Sequence, residues 1–216
     1  MVKRISDGIY KLGNKLVTVN STPGETFFGE KIIKKKGVEY RVWDPRRSKI
    51  AAAILKGIKL PVDKDSVVLY LGAASGQTCS FLSDVVKKIY AVEIAPRVFR
   101  ELYLLAKKRK NILPILADAS KPESYKEFVP KVDFVFQDVA ARNQLQIFLD
   151  NCRMFLKKNG YGMVAVKSRS IDVTKSPRKV FDEFEKGLKK ELKVVSKVRL
   201  EPFEKDHMVF LVTKKR

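Results

Sequence analysis

The chain has 216 residues, enough for one α/β domain with its own core and a small appendage. Apolar residues make up 45% and aromatics 10%, which excludes a disordered chain, and no apolar run is long enough to span a bilayer. Lys and Arg number 45 against 24 Asp and Glu, a net charge of +21 that points to a polyanionic partner, nucleic acid first. A Lys/Glu-rich thermophile surface would account for many of these charges but not for so one-sided an excess.

The opening MVKRISDGIY has no apolar signal region, so we expect a cytoplasmic protein with no membrane association. Residues 1–43 then show short alternating apolar runs broken by Gly, Asn and Pro, which predict β-hairpins and no helix. In WDPRRSKIAAAILKG a helix is expected to start with Asp44 as cap and Pro45 in its first turn, ending near Gly57. From there strands and helices alternate. Predicted strands are 67–71, 89–93, 112–116, 132–137 and 162–167. Amphipathic helices between them carry Val98, Leu102 and Leu105 on one face and Leu145, Phe148, Leu149, Cys152, Phe155 and Leu156 on another. Repeated β-α-β units of this length imply a parallel sheet covered on both faces.

The end of the chain departs from that alternation. Ser176-Pro177 opens a helix bearing Val180, Phe181, Phe184 and Leu188, and two strands follow directly, near 192–200 and 207–213. Strands joined by a short loop pair antiparallel. The expected fold is α/β, a mostly parallel seven-stranded sheet with a terminal antiparallel hairpin, after a small β-rich domain. We divide the chain at residues 1–48 and 49–216. Cys79 and Cys152 are expected to be free core thiols, and with a single His they are too few to hold a metal. Basic clusters lie at 34–36, 46–47, 107–110 and 214–216.

The stretch VVLYLGAASGQT is a buried strand running into a glycine-bracketed turn, Gly72-Ala73-Ala74-Ser75-Gly76. In a doubly wound sheet, ligands bind beyond the carboxyl ends of the strands. Glu93 closes the second predicted strand, where an acid accepts hydrogen bonds from an adenosine ribose. Asp118 follows the third strand and can accept from an adenine amino group. Two cofactor classes fit this spacing, a dinucleotide and S-adenosylmethionine. The dinucleotide fingerprint wants glycine at the positions of Ala74 and Gln77, so that pyrophosphate can approach; S-adenosylmethionine has no such requirement.

Four polar residues fall at the same end of the sheet or near it. Asp138 follows the fourth strand, Lys167 ends the fifth, His207 begins the last strand, and Lys49 lies early in the helix after Pro45. Methyl transfer to a hydroxyl needs an aligned nucleophile that loses its proton. A lysine is a base near neutral pH only if a second cation or burial lowers its pKa. Lys49 beside Lys167 would do that, Asp138 would orient the Lys167 amine, and His207 would anchor an acceptor ribose. A structural salt-bridge cluster accounts for Lys49, Asp138 and Lys167 equally well.

The motifs GVEYRVWDPRRSKIAAAI, VLYLGAASG, YAVEIAPR, DVA, VAVKSRSID and LEPFEKDH resemble fibrillarin in its archaeal form, from about Gly37 to His207, with Tyr70 where generic methyltransferases carry an acid. The resemblance implies a class I methyltransferase fold and S-adenosylmethionine-dependent 2′-O-methylation of RNA ribose. It implies work inside a box C/D guide ribonucleoprotein, with a Nop-family scaffold, a kink-turn-binding ribosomal-type protein, a guide RNA and target rRNA or tRNA. The family's Lys-Asp-Lys-His tetrad falls on Lys49, Asp138, Lys167 and His207. Its cofactor positions fall on Gln77, Thr78, Glu93, Ile94, Asp118, Ala119, Asp138, Val139, Ala140 and Ala141, beside the turn residues Gly72, Ala73 and Gly76. Three departures stand out: Gln77-Thr78 where the family has Thr-Thr, Ala141 where it often has Gln, and a short Val85–Lys88 link without the usual glycine loop. The chain has no Arg/Gly-rich extension, which fits a cell without a nucleolus. Two other classes stay open on the residues alone, a basic RNA-associated subunit that binds cofactor without turnover and a nicotinamide oxidoreductase.

Overall fold

A computed structural model describes residues 1–215; Arg216 of the predicted basic cluster lies outside the described residues. The N-terminal hairpins form one antiparallel five-stranded sheet. Its strands are β1 (Val2–Ser6), β2 (Ile9–Leu12), β3 (Lys15–Val19), β4 (Ile32–Lys35) and β5 (Val38–Val42), in the order β1-β2-β3-β5-β4. Two-residue loops at Asp7-Gly8, Gly13-Asn14 and Lys36-Gly37 join three of the pairs.

Helix α1 (Lys49–Leu55) corrects the predicted start. The cap is Ser48, whose side chain accepts from the Ala51 N–H. Asp44 instead accepts from the Arg46 N–H in a turn, and Pro45 lies before the helix. Proline's fixed φ suits a turn as well as a first helical position, so the local signal fits both. Lys49 thereby becomes the first helical residue.

The second sheet has seven strands: β6 (Val67–Leu71), β7 (Lys88–Glu93), β8 (Ile112–Leu116), β9 (Val132–Gln137), β10 (Leu156–Lys167), β11 (Leu192–Arg199) and β12 (His207–Lys214). Their order is β11-β12-β10-β9-β6-β7-β8, and β12 alone runs antiparallel to both its neighbours. The expected architecture therefore holds. Pro114 is accommodated because β8 is an edge strand, with no further ladder to donate to. Strand β10 starts six residues earlier than expected, with a register break between Leu156 and Tyr161. Helices α2 (Gln77–Leu82), α3 (Pro96–Lys108), α4 (Gln144–Phe155), α5 (Ser168–Ile171) and α6 (Pro177–Glu191) complete the chain, with Ser176 capping α6 as expected.

Two buried apolar clusters flank the sheet. One is built on Val68, Tyr70, Ile89, Phe134 and Phe136; the other on Leu69, Leu71, Val135, Phe148 and Phe210. The alternation of β6 residues between the two clusters is the period-2 pattern of a strand covered on both faces. Cys79 and Cys152 are both free and buried, and burial pushes both thiols up.

The small sheet is fastened to the large one by charge as well as by apolar contact. Trp43 stacks on Phe81 at 5.3 Å. The Asp84 carboxylate, wholly buried, accepts from Arg41 at 2.8 Å and Thr18 at 2.7 Å, and pairs with Arg109. Arg41 also donates to the Ser80 carbonyl and to Glu30. Arg109, part of the basic cluster at 107–110, is thus 2% exposed and belongs to the interior. Removing one member of such a network strands buried charge. Asp84→Ala should lower stability by about 3–5 kcal/mol, read as a fall in the urea midpoint with the slope unchanged.

Candidate active site

The sheet's strand order reverses at β6, since β7 and β8 lie on one side of it and β9 and β10 on the other. Ligand crevices form at such a reversal. Here Gly72 leaves β6 with φ +77°, and a Cβ on it would sit 2.9 Å from the Asp138 carbonyl oxygen. The Asp138 N–H in turn donates to the Leu71 carbonyl at 2.9 Å. The turn after β6 and the segment after β9 are therefore in direct backbone contact.

Between these ends and that of β7 opens a cleft of about 390 Å³, within the ordinary range for a small-molecule site. Nine of the predicted cofactor residues line it: Gly72, Glu93, Ile94, Asp118, Ala119, Asp138, Val139, Ala140 and Ala141. The Glu93 carboxylate accepts from the Ala74 N–H and the Ala95 N–H, both at 2.8 Å. Those two bonds fix its rotamer and leave a lone pair on each oxygen for a ligand's hydroxyls. Asp118 accepts from the Ser120 N–H at 2.9 Å, and that bond holds its carboxyl below the usual range. Ile94 is 61% exposed at the rim, an apolar surface on which a flat ring can lie.

Four predicted cofactor residues do not line this cleft. Ala73 is buried, its N–H bonded to the Val92 carbonyl. Gly76, at φ +90°, sits at the start of α2, where a Cβ would come within 2.8 Å of Leu102 and closer still to Leu105. Gln77 faces Arg47, whose Nε lies 2.9 Å from its amide oxygen in the favoured orientation. The Thr78 hydroxyl donates to Ser48 Oγ at 3.1 Å. These residues shape the turn from behind and tie it to the start of α1. Sequence reasoning missed Ala74, Ser120, Asn143 and Ile147, which also line the cleft. The Asp-Ala-Ser spacing was a legible turn signal for Ser120; nothing marked Asn143 or Ile147.

The four polar candidates stand on adjoining parts of the same end. Lys49 Nζ lies 3.0 Å from both Asp138 carboxylate oxygens. Lys167 and His207 are direct partners across β10 and β12. Asp138 therefore pairs with Lys49 and not with Lys167, as sequence had suggested. Lys167 is exposed and enters no ion pair among the described residues. Gln144 brackets its backbone at 3.3 and 3.4 Å. His207 is 6% exposed, and its Nδ1 lies 2.7 Å from the Lys205 carbonyl. A carbonyl only accepts, so Nδ1 carries the proton and Nε2 of the neutral ring is an acceptor. Tyr70 is buried beneath this group and faces Thr78 and Asp138; burial, then the Asp138 charge, pushes its hydroxyl up.

The family model described as fibrillarin matches residues 2–216. The chain belongs to the fibrillarin family. A relative from Thermococcus onnurineus, named fibrillarin-like rRNA/tRNA 2′-O-methyltransferase, is 54% identical over 204 residues, covering 93% of this chain and 90% of the relative. The crystal structure of Aeropyrum pernix fibrillarin with natively bound S-adenosyl-L-methionine superposes with a TM-score of 0.89 at 41% identity, covering 99% of this chain and 98% of that one. A fibrillarin/Nop5p complex matches at 0.91 and 42%, covering 96% and 98%.

Within this fibrillarin-family site, the Asp138 carboxyl is displaced upward. Desolvation raises its carboxyl above the ordinary 3.8, and Lys49 and then His207 pull it back only in part. The folded state thus binds the proton more tightly than the unfolded chain. Stability from this group is present below pH 3.8 and declines as pH rises through the folded value. Subtracting the Asp138→Asn profile from the wild-type urea-unfolding profile, measured from pH 3.5 to 7, should show that decline with rising pH.

Proposed function

We propose that this chain transfers methyl from S-adenosylmethionine to ribose 2′-hydroxyls of rRNA and tRNA, with Lys49, Asp138, Lys167 and His207 as its working groups. The observation that carries the reading is the meeting of the 390 Å³ cleft and the Lys49–Asp138 pair at one residue, Asp138, which belongs to both. The cleft suits the cofactor. It offers carboxylates at Glu93 and Asp118 for hydroxyl and amino donors and apolar walls at Ile94, Ala119 and Val139. The close approach of Gly72 to the Asp138 backbone leaves no room for a side chain on Gly72 at the cleft's inner end. Bound there, S-adenosylmethionine supplies an electrophilic methyl on a sulfonium.

The protein's part is then positioning and proton movement. Asp138 and Lys49 fix each other's heads. Lys167 is the cation of the group without a carboxylate partner, so its amine is free to meet an acceptor hydroxyl and, in the neutral form, to take its proton. His207 Nε2 accepts from a neighbouring ribose hydroxyl and sets the acceptor's orientation.

The same reading places the chain in a box C/D ribonucleoprotein. The support is the 42% identical neighbour solved with Nop5p and the rRNA/tRNA methyltransferase name of the relatives. A Nop-family scaffold holds the enzyme, a kink-turn-binding protein marks the guide RNA, and base pairing with the guide selects the target.

The test is tritiated-methyl transfer to a guide-matched RNA by the chain reconstituted with scaffold, kink-turn protein and guide. Incorporation at one ribose is expected, with Lys167→Ala and Asp138→Ala lowering it by about 100-fold or more. Assembly and cofactor binding without incorporation would make the chain a non-catalytic subunit.

A further inference from the structure

At the opposite end of the large sheet lies a groove of about 1050 Å³ that the methyl-transfer reading does not use. It is formed where β10 and β11 begin and β12 ends. Five of its lining residues are lysines, Lys158, Lys189, Lys193, Lys214 and Lys215, and none is acidic. The acids nearby are already taken: Glu191 by Arg153, Asp133 by Lys157 and Glu185 by Lys189 and Lys197. Lys158 and Lys193 are exposed and enter no ion pair among the described residues. Lys214 is half-buried, and burial together with the neighbouring Lys131 holds its ammonium below the usual range. A concave, one-signed site of this kind focuses field and attracts an anion that carries many charges.

Edge-strand lysines also guard a sheet against pairing with another chain, and β11 is an edge. That explains Lys193. It does not explain Lys158 and Lys214, which lie at the start of β10 and at the end of the inner strand β12, or the concavity they share. The groove also contains Val195, 49% exposed where a register shift breaks the β11 ladder, and the half-buried ring of Tyr161. Tyr161 offers a ring for stacking and Val195 an apolar contact beside the cations, the combination that binds single-stranded nucleic acid.

We propose that this groove is a second RNA-binding site, which holds the phosphate backbone of a single-stranded RNA segment independently of the reacting ribose. Tyr161 and Lys167 are six residues apart on β10, so the groove lies about 20 Å from the methyl-transfer end. It therefore binds a different part of the RNA from the reacting nucleotide. The proposal rests on the reading of the chain as an enzyme of RNA, and the test separates the two.

The probe is a fluorescein-labelled single-stranded 20-mer, titrated with the full chain by anisotropy at several salt concentrations. Three double variants are compared with wild type: Lys158→Gln with Lys193→Gln, the charge-keeping Lys158→Arg with Lys193→Arg, and Lys31→Gln with Lys36→Gln on the small sheet. The groove Gln variant should lose about 1.4 from the log-log salt slope and weaken binding by more than about tenfold at 0.1 M salt. The Arg variant should match wild type, and the small-sheet control should lose clearly less. Equal losses in groove and control variants, or an unchanged slope in the groove variant, would overturn the site. Thermal-melt shifts with S-adenosylmethionine should be the same in all three variants. Failure of the methyltransferase reading would instead appear as no methyl transfer by the wild-type complex, whatever the groove does.

Discussion

The site depends on one close contact. Gly72 leaves its strand in the left-handed region with the Asp138 carbonyl 2.9 Å from where a Cβ would be. Two neighbouring strands, β6 and β9, diverge from that point into the two loops that make the cleft. Because the contact is backbone on backbone, it cannot be relieved by a rotamer change. It fixes where the turn lies relative to Asp138, and through the ion pair with Lys49 it fixes the start of α1 as well. A hydroxyl chain closes the same loop from behind, since Thr78 on α2 bonds to Ser48, the residue that caps α1.

The small sheet is part of this support. Its Arg41 reaches the Ser80 carbonyl and the Asp84 carboxylate, at the end of the helix that follows the cofactor turn. An Asp buried between two guanidiniums is stable only while both remain. Charge in this protein therefore has two separate tasks. A few Arg and Asp residues pin the small sheet's strands to a helix beside the large sheet, and the large excess of Lys remains outside. That excess is not uniform. Five lysines, most of them without an acidic partner among the described residues, line a concave surface at the far end of the sheet, so the sheet's two ends carry different chemistry, a paired and partly buried group at one and a one-signed groove at the other.

Most of the architecture was legible because the strands speak with clear periodicity. Val67–Leu71 is a continuous apolar run and Phe134–Phe136 gives β9 an apolar centre, as strands buried on both faces need, and the missing helix between 200 and 207 announced the antiparallel end. The cofactor acids were legible because strand ends in such a sheet converge. What stayed hidden was set by long-range pairing. Nothing local distinguishes Arg109, inside a run of lysines, as a buried residue; only Asp84, 25 residues earlier, makes it one. The partner of Asp138 was misassigned for the same reason. Lys167 is nearer in the sheet order, yet Lys49 arrives from a helix 89 residues away. The helix start moved from Asp44 to Ser48 because two residues able to cap lie within one short segment, and Asp44 is used in the turn before it.

The most direct measurement is calorimetric titration of S-adenosylmethionine into wild-type chain and Gly72→Ala. The added methyl must displace the Asp138 backbone or the turn itself, at the one place where both walls of the cleft meet. If the contact organises the site, Gly72→Ala should keep a cooperative thermal transition and lose cofactor affinity by at least about tenfold, roughly 1.4 kcal/mol. Affinity equal to wild type in a folded Gly72→Ala would contradict the account, because the cofactor would then be bound somewhere this contact does not shape.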